Sequence, residues 1–171
     1  NLHMLSYLVF ALSAVLLYTM STLYHALPLG SKAKQVFQKL DHMTIYALIA
    51  GTYTPFTLLA IGGELGVILC IILWVAAFFG MFMNLFYFKR FRWLHMSLYV
   101  IMGWVAIFFI PQIITNLSTM GIVFLFSGGI MYTLGILFYA LKLFKFTHMI
   151  WHFFVLAGAA AHYFCIYYYV F

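Results

Sequence analysis

Residues 65–88 read LGVILCIILWVAAFFGMFMNLFYF, from Leu65 to Phe88 without one charged side chain. About 20 apolar residues, rising 1.5 Å each in a helix, are enough to cross the hydrocarbon of a bilayer. Working outward, five further segments meet the same test. Before it, one runs from about Leu2 to Leu27, stopped by Pro28 and Gly30, and a second from about Val36 to Ile61, ended by Gly62 and Gly63. After it come about Trp93 to Ile110, stopped by Pro111, then about Thr119 to Leu143, then about Phe146 to Val170. The connections are short, so successive helices are expected to be antiparallel neighbours within a single domain, residues 1–171. Pro55 should kink the second helix, and Ala157, Gly158 and Ala161 should let the last one pack closely on a neighbour.

Composition excludes the alternatives. The 171 residues are 68% hydrophobic and 6% charged, too few charges to cover the surface of a soluble domain of that size. Asp41 and Glu64 are the only acidic residues. Aromatics at 22% suit interfacial belts, and no ten-residue alternation of polar and apolar side chains recurs, which argues against a membrane barrel. Cys70 and Cys165 sit inside apolar segments, where they read as small buried hydrophobes.

The formal charge of +6 comes from eight basic residues in three inter-helix clusters: Lys32, Lys34 and Lys39; Lys89, Arg90 and Arg92; Lys142 and Lys145. The loops between them carry none. Such alternation is a topology signal rather than a nucleic-acid surface, and the positive-inside rule puts these three loops in the cytoplasm. Both termini of this chain then lie outside. The expected location is the bacterial inner or plasma membrane, with membrane lipid as the surrounding partner.

On that topology the ionisable residues gather at one depth. His25 lies a turn from the cytoplasmic end of the first helix, Asp41 and His42 just inside the start of the second, His148 and His152 on the first turns of the sixth. Polar groups at such depth are costly and mark function. His148 and His152 are four apart, so both imidazoles project from one face and can reach one ion. Ser21 and His25 share a face in the same way. Three imidazoles around a divalent ion leave a fourth position for water, the arrangement of a catalytic zinc site, although iron, nickel or copper would also accept them. Asp41 either binds the ion or orients and deprotonates its water, and Ser21 holds a substrate carbonyl or fixes an imidazole. Against this stand plainer readings: a helix cap or lysine partner for Asp41, and a back-bonded membrane serine for Ser21. His42 points about 100° away from Asp41 and reads as a surface or outer residue. His95 reads as interfacial, and His162 lies about 15 Å beyond His152 along the helix, too far to share the ion.

Three stretches together resemble one family. Ser21-Thr-Leu-Tyr-His25, then Leu40-Asp41-His-Met-Thr-Ile-Tyr46 running into Ala50-Gly51-Thr-Tyr-Thr-Pro55-Phe56, then His148-Met-Ile-Trp-His152, are similar to the bacterial hemolysin III proteins, which belong with the progestin and adiponectin receptor family. The resemblance covers nearly the whole chain. It implies an all-α integral membrane seven-helix bundle with a cytoplasmic N-terminus, and zinc held by His25, His148 and His152. It also implies that Asp41 contacts the zinc or its water, with Ser21 nearby. The family's extra first helix, with its Glu…Asn motif, has no counterpart here. Six helices, a first residue that is Asn1 and an outside N-terminus fit a seven-helix protein whose first span is absent from this chain.

Three functions follow as expectations. The first is a zinc-dependent hydrolase acting on a lipid amide or ester at the inner leaflet, a chemistry suggested by the alkaline ceramidases of the wider superfamily, with Asp41 and Ser21 as catalytic residues. The second is a membrane regulator or receptor with structural zinc, which would be closed by four protein ligands. The third is the cytolysin of the family's name. It ranks last because these helices offer neither a polar lumen nor an amphipathic segment able to insert elsewhere. No nucleic-acid partner is expected, and no residue pattern sets an oligomeric state.

Overall fold

A computed structural model of the chain describes every residue except 88, 89, 91, 142–144 and 171, and describes Arg92 without its side chain. Lys89 and Lys142 of the basic loops therefore lie outside the described residues. The fold is all-helical, with no strand among the described residues, and six helices are long and apolar enough to span a membrane. In order they are α1 (Leu2–Ala26), α2 (Lys32–Pro55) continued by a π-helical segment (Phe56–Ile61), and α3 (Gly63–Tyr87). The fourth span is built from α4 (Arg92–Gly103), a 3-10 segment (Val105–Phe109) and α5 (Ile110–Asn116). Then come α6 (Thr119–Leu141) and α7 (Thr147–Cys165), which ends in a second π-helical segment (Ile166–Val170). The chain is an integral membrane protein.

Two compact units divide the chain, Asn1–Met102 and Gly103–Phe171. In the first, α1 and α3 both pack on α2. The most apolar stretch of α2 is 67% buried, against 22% for α1 and 28% for α3, so α2 is the core helix and its neighbours expose apolar faces that suit lipid. Its start is fixed locally. Ser31 is the N-cap, its hydroxyl accepting from the Lys34 amide at 3.1 Å, and Lys34 Nζ donates back to the carbonyls of Tyr24 and Leu27, both at 2.8 Å. One lysine thus satisfies carbonyls that the end of α1 leaves without helical partners. The disturbance expected at Pro55 takes the form of a switch from α to π winding, as the ring removes one ladder donor. Farther along, Trp74 Nε1 donates to Thr54 Oγ1 at 3.0 Å and ties α3 to α2.

In the second unit α6 packs along α7. Gly158 does provide close approach, since a Cβ there would stand 3.0 Å from the Tyr132 ring, whereas Ala157 is exposed. Cys165 is buried, its thiol donating to the Gly121 carbonyl at 3.1 Å, and Cys70 is half-buried.

One boundary needs correction. Pro111 does not stop the fourth span. It sits in the first turn of α5, where its missing N–H would have had no helical partner anyway, and the span runs on to Asn116.

Candidate metal centre

In the first unit, α1 and α2 carry Ser21, His25 and Asp41. Asp41 is ten residues past the N-cap Ser31, so it is not a cap, and it is 2% exposed. Burying a carboxyl without compensation is expensive, so its partners matter. Ser21, half-buried, is its polar neighbour across the α1–α2 contact. His42 Nδ1 is 3.8 Å from Asp41 Oδ2, and the same nitrogen lies 2.8 Å from the Gln38 carbonyl. Asp41 Oδ1 is buried and has no hydrogen-bond partner among the described residues. One oxygen of a buried carboxylate is therefore held ready for a proton or a cation. His25 is exposed, with its ring 4.7 Å from that of Tyr24, whose carbonyl Lys34 engages. The capping lysine thus anchors the turn that bears His25.

In the second unit, His148 and His152 are half-buried on the first turns of α7. Their spacing of four does bring the rings to one face: the Nε2 atoms are 3.2 Å apart and the ring planes nearly perpendicular, at 82°. Two imidazole nitrogens at 2.0–2.1 Å from a tetrahedral zinc would stand about 3.3–3.4 Å apart. The pair stands within about 0.2 Å of that separation. Trp151 and Tyr139 flank it, the Tyr139 ring 5.7 Å from His148 and the Trp151 ring 4.6 Å from His152. Of the three histidines that the family resemblance names as ligands, the first unit carries His25 and the second carries His148 and His152.

The family model described as "Haemolysin-III related" matches residues 1–163. The chain belongs to the haemolysin-III related family. It is 43% identical over 164 residues to the "Hemolysin-3 homolog" of Bacillus subtilis (strain 168), covering 96% of this chain and 76% of that protein. It is 41% identical over 165 residues to "Hemolysin-3" of Bacillus cereus, covering 96% and 75%. A more distant human relative, "Monocyte to macrophage differentiation factor", is 28% identical over 170 residues, covering 95% and 69%. No solved structure matches.

Two polar residues of this haemolysin-III chain were missed or misplaced by the sequence reading. His95 is not interfacial: it is 3% exposed, with Nδ1 hydrogen-bonded to the Tyr46 hydroxyl at 2.8 Å. Asn84, on α3, is fully buried. The available signal for Asn84 was its being the one carboxamide in the uncharged run from Leu65 to Phe88. His162 is buried in the second unit, Nε2 lying 3.1 Å from the Leu125 carbonyl, and takes a packing role there.

Proposed function

We propose that this chain binds one zinc ion through His25, His148 and His152, and that it hydrolyses an amide or ester of a membrane lipid whose head group sits at the cytoplasmic leaflet. The observation that carries the reading is the 3.2 Å separation of the His148 and His152 Nε2 atoms, within about 0.2 Å of the edge of a tetrahedral zinc site. The basic loops beside α2 and α7 support a cytoplasmic position for the metal. Bound zinc would supply a water acidified towards neutral pH and a polarised substrate carbonyl. The rest falls to the chain. Asp41 accepts the water's proton at Oδ1, the oxygen with no other engagement, and returns it to the leaving amine or alcohol. Ser21 steadies the carboxylate so that Oδ1 keeps its direction. Lys34 holds the end of α1, and with it His25, at a fixed height.

A second reading rests on the same oxygen. If Asp41 Oδ1 binds the ion directly, three histidines and one carboxylate close the coordination, and the zinc is structural in a membrane regulator or receptor.

The deciding measurement is elemental analysis of the purified protein beside the His148→Ala/His152→Ala variant. About one zinc per chain, lost in the variant, supports both readings. A wild type that stays metal-free in added zinc removes both. Turnover of a lipid amide or ester panel by zinc-loaded protein then selects the first reading, and its absence the second.

A further inference from the structure

Asn84 and His95 carry buried polar atoms that the metal centre does not use. Asn84 is 0% exposed, and neither Oδ1 nor Nδ2 has a hydrogen-bond partner among the described residues. His95 is 3% exposed, and its Nε2 likewise has none. All three atoms belong to the first unit, and both residues are tied to the surroundings of Tyr46 by the packing of its helices. Gly80 of α3 lies on the Tyr46 ring, where an added Cβ would stand 2.6 Å from Cζ, the carbon bearing the hydroxyl. Asn84 is one turn beyond Gly80 on the same face, and its side chain leans back towards Gly80, as helical side chains lean towards their own N-terminus. Lys39 Nζ donates to the Leu85 carbonyl at 3.1 Å, which fixes the same pairing of α2 with α3 from the other side. The Tyr46 hydroxyl leads on to His95 Nδ1, and Tyr99, one turn after His95, lies 4.6 Å from the Tyr46 ring and donates to the His42 carbonyl at 2.9 Å.

We infer that Asn84, His95 and Tyr46 enclose a hydration site, in which ordered water bridges the Asn84 carboxamide to His95 Nε2. The choice of water follows from size and chemistry. The atoms are sealed from the surface, so a head group has no way in. The set offers a carboxamide donor, a carboxamide acceptor and one imidazole nitrogen, which matches the two to four partners a buried water needs. Three such atoms left bare in an apolar interior would be strongly unfavourable. Both tautomers of His95 are served, because water donates or accepts. The bridge joins α4 to α3 beside Tyr46 of α2.

X-ray radiolytic labelling in 18O water tests this on the full chain in detergent, because a side chain beside a bound water is oxidised even when it is buried. Tyr46 is the reporter. Its labelling is expected in the wild type, is expected to be largely lost in Asn84→Leu, whose apolar lining would stay dry, and is expected to persist in Asn84→Ser, which keeps a polar group. An unlabelled wild-type Tyr46, or equal labelling in the wild type and Asn84→Leu, overturns the inference. Should Asn84→Leu fail to fold, the comparison of wild-type Tyr46 with buried Phe10 of α1, each rate divided by the intrinsic reactivity of its ring, still decides. Equal rates at the two rings mean no water is held, and faster oxidation at Tyr46 means that it is.

Discussion

Gly80→Ala puts the packing between α2 and α3 to a quantitative test. The new methyl would stand 2.6 Å from Cζ of Tyr46, closer than carbons approach in real structures. Tyr46 cannot swing aside cheaply: it is fully buried, packs at a tilt against the Tyr99 ring, and holds His95 at 2.8 Å. Overpacking of this kind costs about 1–3 kcal/mol. Loss of the Tyr46–His95 hydrogen bond adds about 0.5–1.5 kcal/mol. Replacing glycine inside a helix returns about 1 kcal/mol. The sum is a destabilisation of about 2 kcal/mol, or a fall in Tm of about 4–8 °C for a chain of this length. Thermal unfolding followed by tryptophan fluorescence in detergent measures it, with Gly103→Ala as control, since nothing lies within 4 Å of a Cβ at Gly103. A Gly80→Ala variant that melts with or above the wild type would refute the contact of Gly80 with Tyr46 and the register derived from it.

Asp41→Asn, which keeps size but loses the base, is expected to retain zinc by elemental analysis and to lose hydrolysis; loss of the zinc itself would favour direct ligation. Lys34→Met removes both hydrogen bonds to the end of α1 and is expected to lower Tm by about 2–4 °C, roughly 1 kcal/mol, with part recovered in Lys34→Arg. Pro111→Ala is expected to leave stability within about 0.5 kcal/mol of the wild type, because a first-turn proline breaks no helical hydrogen bond. A large loss in the same melting assay would mean that Pro111 shapes the fourth span after all.

The spans were legible because apolar length is a one-dimensional signal, and lipid demands it of every crossing segment. The spacing of His148 and His152 was legible too, since four residues fix a shared face whatever surrounds the helix. Faces elsewhere were not. Where a helix is apolar on nearly all sides, periodicity does not distinguish lipid from neighbour, which is why His95 was given the right depth but the wrong environment. Pro111 misled for a related reason: a proline reads as a stop until the next helix is known to begin beneath it. Asn84 passed as one polar letter in a hydrophobic run, and only the packing of Gly80 on Tyr46 gave it a location.

The π-helical segment after Pro55 holds, in effect, one more residue than an α-helix of the same height. Such a segment is a natural place for a lineage to gain or lose a single codon. Deleting one residue between Phe56 and Ile61 would rewind the segment to α and turn the following loop, while the half of α2 that bears Asp41 and Tyr46 kept its neighbours. Length variation among family members is therefore expected to collect there, leaving Asp41 and Tyr46 at the far end of the same helix undisturbed.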